Sequence, residues 1–178
     1  LAGALNQFQV DPSGMVCFDV GCSTGGFTDC LLQRGATRVY AVDVGYGQFE
    51  WRLRQDPRVV LMERTNVRYL EPGAIAEPID LIVIDVSFIS LTLVLPAVVS
   101  HLAASGSIIT LIKPQFEVGK GLVGRGGIVR DDALRESTVE KVVSCAAQLG
   151  LQSAGRMDSP IEGRKGNREF LAWFQRKA

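Results

Sequence analysis

The stretch Val16-Cys-Phe-Asp-Val-Gly-Cys-Ser-Thr-Gly-Gly-Phe27 constrains this chain more than any other part of it. Val16–Val20 is an apolar run of strand length, Gly21 begins a glycine-rich turn, and a helix opens near Gly25. That order is the start of a Rossmann-like βαβ unit, which binds nucleotide-type cofactors. The turn residues narrow the ligand. A dinucleotide loop carries Gly-x-Gly-x-x-Gly, and its middle glycine is Ser23 here. A phosphate loop ends in Gly-Lys-Ser/Thr, and this chain has Gly26-Phe27-Thr28. Asp19, just ahead of the turn, would repel a pyrophosphate. It suits a cation such as the sulfonium and ammonium of S-adenosylmethionine (SAM). Asp43 ends the next apolar strand, Val39–Val42, where a carboxylate can accept both hydroxyls of an adenosine ribose. The other reading of the turn is a tight strand–helix connection with no ligand. Both acids in place weigh against it.

Strand-like and helix-like stretches alternate along the rest of the chain. Strands are expected at Val16–Val20, Val39–Val42, Val59–Met62, Ile79–Asp85, Ser107–Ile112, Gln152–Met157 and Glu169–Phe174. The first five are continuously apolar, as strands covered on both faces of a parallel sheet are. Helices are expected within residues 1–14 and over Gly26–Arg34, Gln48–Arg54, Leu91–Ser100 and Asp131–Leu149. The pattern predicts a doubly wound α/β sheet, ending in a hairpin-like pair of strands. With 178 residues the chain suffices for one domain with a substantial core. In such sheets the loops at the carboxyl ends of the strands carry the chemistry. The expected cofactor contacts are therefore Asp19, Gly21, Ser23, Thr24, Gly25, Gly26 and Phe27, then Asp43, Val44, Asn66, Val67 and Asp85.

Composition excludes several classes. Lys and Arg balance Asp and Glu at 19 each, so the formal net charge is zero and the chain lacks the basic character of a free-standing nucleic-acid binder. Cys17, Cys22, Cys30 and Cys145 form no Cys-x-x-Cys pair and no metal spacing, which fits packing residues in a reducing cytoplasm. His101 is the single histidine and is expected at the surface, so neither a histidine triad nor a metal site is expected. No apolar run approaches the roughly 20 residues that span a bilayer.

The fourth strand ends Asp85-Val-Ser-Phe88. It lacks the prolines of exocyclic-amine methyltransferases, and no cysteine stands there for covalent attack on a base carbon. The fifth strand runs into Lys113, a charge at the end of an apolar strand that needs a partner or a cleft. Glu169 opens the last strand, which in this fold lies beside the fifth. Asp85, Lys113 and Glu169 can then converge. On spacing alone, a buried ion pair tying strand ends together remains open.

Asp19-Val-Gly-Cys-Ser-Thr-Gly-Gly-Phe27, Asp85-Val-Ser-Phe-Ile-Ser-Leu91, Lys113-Pro-Gln-Phe-Glu117, Gly126-Gly-Ile-Val-Arg130, Ser159-Pro-Ile-Glu-Gly163 and Lys165-Gly-Asn167 occur in this order. Together they resemble the hemolysin-A (TlyA) family, which is similar to FtsJ-type ribose 2′-O-methyltransferases. The resemblance covers essentially the whole chain. It implies a Rossmann-like class I SAM-dependent methyltransferase fold: a mostly parallel seven-stranded sheet with an antiparallel last strand. It implies methylation of ribosomal RNA at the cytidine 2′-hydroxyl, in the cytoplasm. It also implies a Lys-Asp-Lys-Glu tetrad, whose last three members match Asp85, Lys113 and Glu169. The tetrad's first lysine would stand immediately before Leu1, with a small RNA-binding domain ahead of it. The chain is thus expected to be the catalytic domain of a longer protein.

Ribosomal RNA would meet two basic loops. Lys120, Arg125 and Arg130 follow Lys113, and Arg164, Lys165 and Arg168 precede Glu169. These can hold phosphates, and Phe88 can stack on a base. Solvated charges and ordinary packing are the plainer alternatives. Two other functions stay open: a SAM-binding module that scaffolds ribosome assembly without transfer, and a membrane-active hemolysin. The mixed charges of Asp131–Leu149 weigh against the latter. Methylation of a small molecule or a protein is disfavoured by the basic rim.

Overall fold

The computed structural model describes residues 1–71, 73–119, 121–124 and 126–177, and all of these but the Arg164 side chain are described in full. Lys120 and Arg125, expected at the RNA rim, lie outside the described residues.

Seven strands form one sheet in the order β3-β2-β1-β4-β5-β7-β6. They are β1 (Val16–Val20), β2 (Arg38–Val42), β3 (Val59–Met62), β4 (Ile79–Ile84), β5 (Leu102–Ile112), β6 (Leu151–Asp158) and β7 (Phe170–Arg176). Strands β1 to β5 pair in parallel, and β7 runs antiparallel to both β5 and β6. The expected sheet is therefore the observed one, including its antiparallel last strand.

Alternate residues of the central strands feed two cores, which is why these strands read as continuously apolar. Phe18, Ile82, Ile108 and Phe174 pack with α4 (Leu91–Val98) and α6 (Asp132–Gln148). Cys17, Leu81, Ile109 and Leu171 pack with α1 (Ala2–Gln7) and α2 (Gly26–Gln33). Helices thus cover both faces.

Several boundaries differ from the sequence-based expectation. The helix expected over Gln48–Arg54 is one turn, α3 (Trp51–Arg54). Strand β5 begins at Leu102, five residues early, and the β4–β5 register shifts between Ile79 and Leu81 to accommodate it. A four-residue helix, α5 (Pro114–Glu117), follows Lys113 and is too short to leave a periodic signal. Helix α4 stops at Val98 and a 3-10 turn carries the chain to His101. His101 itself is half-buried rather than superficial, with its ring edge-on to Phe18 at 6.1 Å.

Register decides what meets at the carboxyl edge. Val20 pairs with Ile84, which puts Gly21 beside Asp85. Ile112 pairs with Phe170 across the antiparallel β5–β7 ladder, which puts Lys113 beside Glu169.

Candidate active site

The glycine turn is shaped by backbone bonds and left-handed residues. Gly21 N–H and Cys22 N–H both donate to the Val42 carbonyl, at 2.9 and 3.1 Å. Gly21 has φ +85°, and a Cβ there would run into the Asp85 carbonyl oxygen. Only glycine lets β1 and β4 approach this closely. Asp43 holds the turn from the neighbouring strand. Its Oδ2 accepts from Ser23 N–H at 2.9 Å and its Oδ1 from Gly45 N–H at 2.7 Å.

A cavity of about 500 Å³ opens here, within the usual range for a small-molecule site. Gly21, Ser23, Asp43, Val44, Asn66, Val67 and Asp85 line it, with Val20, Val42, Ile89 and Val94 as apolar wall. An apolar slot for an adenine beside a carboxylate for its ribose fits a nucleoside-bearing cofactor. Each carboxylate oxygen of Asp43 retains a lone pair beyond its backbone bond.

Five of the expected cofactor residues stand elsewhere. Thr24, Gly25 and Gly26 face a separate cavity beside Glu50, Leu53 and Asp56. Gly25 turns them that way: its φ is +98°, and a Cβ there would strike Leu53. Phe27 borders the neighbouring cavity that contains Lys113. Asp19 is fully buried under the turn, where it accepts a 2.7 Å hydrogen bond from Thr28 Oγ1–H. Burial pushes its carboxyl up to about 7, against the hydrogen bonds from Thr28 that hold it down. Asp19 supports the turn and the first turn of α2 and does not line the Asp43 cavity.

The second cavity, of about 290 Å³, is bordered by Asp85, Lys113, Gln115 and Glu169. Lys113 Nζ lies 2.5 Å from Asp85 Oδ1 and donates to Ser87 Oγ at 3.1 Å. Glu169 Oε1 accepts from Gln115 Nε2–H at 2.8 Å, and Gly163 lies so close that a Cβ there would strike this carboxylate. Desolvation raises the Glu169 carboxyl above its ordinary value; Gln115 and Lys113 oppose that shift, and Asp85 adds to it. Asp85, Ser87 and Phe88 line both cavities, so the two are joined at this wall. Leu1 also stands in the second cavity's wall.

A third cavity, of about 360 Å³, continues outward past Phe88 and Phe116 to Gly126, Gly127, Lys165 and Asn167. Phe88 borders this cavity and the joined Asp43 and Lys113 cavities, is 81% exposed and has φ +64°. Lys165 and Arg130 are exposed. Arg168 is turned away to Asp158 at 3.0 Å and Asp132 at 3.4 Å.

Sequence reasoning assigned no role to Ser87, Gln115, Phe116, Gly163 or Asn167. Register was the signal for Gln115: it follows Lys113 by two positions on the edge that faces Glu169. Among the described residues no cluster of metal-ligating side chains occurs, and no helix is long and apolar enough to cross a membrane.

The family model described as FtsJ-like methyltransferase matches residues 1–176. The 16S/23S rRNA (cytidine-2′-O)-methyltransferase TlyA of Mycobacterium tuberculosis is 53% identical over 175 residues, covering 98% of this chain and 65% of that protein. Hemolysin A of Brachyspira hyodysenteriae is 45% identical, over 98% of this chain and 73% of its own length. A crystal structure from Lactococcus lactis is 45% identical with a TM-score of 0.95, covering 99% of this chain and 85% of that one. The chain thus spans just under two thirds of the mycobacterial relative.

Proposed function

Because the chain belongs to the FtsJ-like methyltransferase family, we propose that it transfers a methyl group from SAM to a cytidine 2′-hydroxyl of ribosomal RNA. One observation carries the reading: Lys113, Asp85 and Glu169 meet in a cavity that shares a wall with the Asp43 cavity. In the proposed arrangement Asp43 receives the ribose of SAM, Asn66 and Val67 flank the adenine, and the Lys113 cavity receives the RNA ribose. The mycobacterial relative's name points the same way, since it is named for this reaction.

SAM supplies an electrophilic methyl group on a sulfonium. A ribose hydroxyl is a very weak acid and a poor nucleophile, so the protein's task is to stabilise charge on its oxygen. Lys113, ion-paired to Asp85 and only 13% exposed at its side chain, places an ammonium there. Such stabilisation is strong where water is excluded. With SAM bound, forming the O–CH₃ bond would break the S–CH₃ bond and leave a neutral thioether, and the hydroxyl proton would pass to the Asp85 carboxylate of the Lys113–Asp85 pair. Ser87 orients the Lys113 Nζ, and Glu169, seated by Gln115 and Gly163, adds a second carboxyl facing the same space.

Phe88 offers a face for the substrate base, and Lys165 and Arg130 offer charges for flanking phosphates. Residues 1–178 act as one methyltransferase domain, at ribosomal RNA in the cytoplasm. The experiment is to map 2′-O-methylation on ribosomal RNA from cells with and without the gene. Loss of specific cytidine marks is the expected result. An unchanged map would refute the reading.

A further inference from the structure

The segments Asp85–Leu91 and Lys113–Glu117 meet rung by rung. Lys113 Nζ reaches Asp85 Oδ1 at 2.5 Å and Ser87 Oγ at 3.1 Å. Phe116 sets its ring 4.9 Å from that of Phe88. Glu117 then accepts from Ser90 Oγ–H at 2.6 Å and from Leu91 N–H at 2.7 Å. Positions i, i+3 and i+4 share one face of a helical turn, so α5 and the lysine before it present all three rungs together. Lys141 of α6 fixes Glu117 from behind, with Nζ 2.8 Å from its carbonyl oxygen and 3.4 Å from its carboxylate.

The Glu117 side chain is 1% exposed. A buried carboxylate is costly unless every donor is in place, and removing one partner is strongly destabilising. Its contacts lie on the far side of Phe88 from those of Lys113. Phe88 needs such bracing. Its left-handed backbone is unfavourable for an aromatic residue by about 1–2 kcal/mol. At 81% exposed, it gains little burial in return. Strain of this kind persists only where the surroundings over-determine it.

We propose that Glu117 is a positioning residue: by seating Ser90 and Leu91 on α5 it holds Phe88 outward and left-handed at the junction of the three cavities. This rests on the methyl-transfer reading for the use made of Phe88, as the platform that receives the substrate base. Glu117 touches neither substrate nor cofactor and acts through the 85–91 loop. It is distinct from the carboxylates that face the reacting space.

The test is a double-substitution cycle with Glu117→Gln and Phe88→Gly, since glycine adopts the left-handed conformation without strain. Three quantities are measured on each protein: SAM affinity by calorimetry, amide exchange of residues 86–91, and methyl transfer to unmethylated ribosomal subunits. In the otherwise unchanged protein, Glu117→Gln is expected to speed amide exchange over 86–91 and to lower kcat/KM for RNA about tenfold. SAM affinity should fall by less than kcat/KM for RNA, because Asp43, Asn66 and Val67 lie outside the loosened segment, although Ser87, Phe88 and Ile89 line the same cavity. In the Phe88→Gly protein the same change should alter kcat/KM by less than about twofold. Unchanged exchange over 86–91, or an equal loss in both backgrounds, overturns the proposal and leaves Glu117 a purely structural residue. If Glu117→Gln does not fold, Ser90→Ala removes one rung without a buried charge and is read the same way. If the unsubstituted protein methylates no ribosomal RNA, the methyl-transfer reading has failed, and amide exchange alone then decides the role of Glu117.

Discussion

On the β1–β2 side of the carboxyl edge, the ligand wall is largely backbone. Glycine at 21 lets two strands close up, amides of Ser23 and Gly45 bind one carboxylate, and apolar side chains do the rest. On the β4–β5–β7 side the wall carries charged side chains, each held by another: Lys113 by Asp85 and Ser87, and Glu169 by Gln115, with Glu117 behind them held by Ser90 and Lys141. The first kind of wall binds through shape and fixed dipoles. The second can place charge where a reaction develops it. The difference predicts a split: changes on one side should move cofactor affinity, and changes on the other should move turnover.

The largest expected effect tests that split directly. Lys113→Ala should lower methyl transfer by about 10²–10⁴-fold while SAM affinity stays nearly constant. Turnover, calorimetry and melting temperature on one preparation decide it. Near-normal turnover with a large drop in melting temperature would make Lys113 an ordinary ion-pair partner, and the division of labour would collapse.

Gly21 is where the two sides touch, so Gly21→Ala should break the split. The left-handed φ and the Asp85 carbonyl together make an added methyl destabilising by about 2–4 kcal/mol. Both SAM affinity and transfer should fall, and denaturant unfolding should show the stability loss. A variant that binds SAM normally and fails only in transfer would show that the approach of β1 to β4 matters less than its geometry suggests.

Asp43→Ala should stay on its own side. Losing a carboxylate that accepts two backbone amides and, in the proposed complex, the ribose hydroxyls should cost about 1.5–3 kcal/mol of SAM binding, a tenfold or larger loss. Unchanged binding by calorimetry would remove Asp43 from the site.

The same contrast explains what the sequence made legible. The β1–β2 side is local: Gly21, Ser23 and Asp43, which line its cavity, fall within one strand–helix–strand unit, so their spacing is legible in the sequence. Asp85, Lys113 and Glu169 are far apart in the chain, and they converged on paper only because the strand order of this fold is regular. Where a residue depended on neighbours beyond that order, the sequence was silent or misleading. Thr24 to Gly26 turn toward Leu53 because Gly25 is left-handed, which no pattern encodes. Arg168 reads as a phosphate ligand until β6 and α6 bring Asp158 and Asp132 to it. Glu117 sits in an ordinary-looking Lys-Pro-Gln-Phe-Glu run, and its three donors come from two other segments, the 85–91 loop and α6.

The smallest effect sharpens the comparison through pH, because Glu169 on the charged side should titrate against stability and can be isolated by one substitution. Burial is the main cause of the raised Glu169 carboxyl, with Asp85 adding to it and Gln115 and Lys113 opposing. The sign follows from proton counting. Below the unfolded-state value of about 4.5 the group is protonated in both states, and its contribution to stability is fully present. As pH rises, the unfolded chain releases the proton first, so stability is lost until pH passes the raised folded-state value. Glu169→Gln keeps an acceptor for Gln115 and cannot titrate. Its melting temperature, minus that of the unchanged protein, should therefore grow as pH rises above about 4.5 and then level off. Asp19, raised to about 7 by burial, gives its own slope to both proteins, and the subtraction removes it. Thermal melts at closely spaced pH values supply the curve. A flat difference would mean that the Gln115 hydrogen bond and the Lys113 charge together offset the burial of Glu169, and a falling one that they outweigh it.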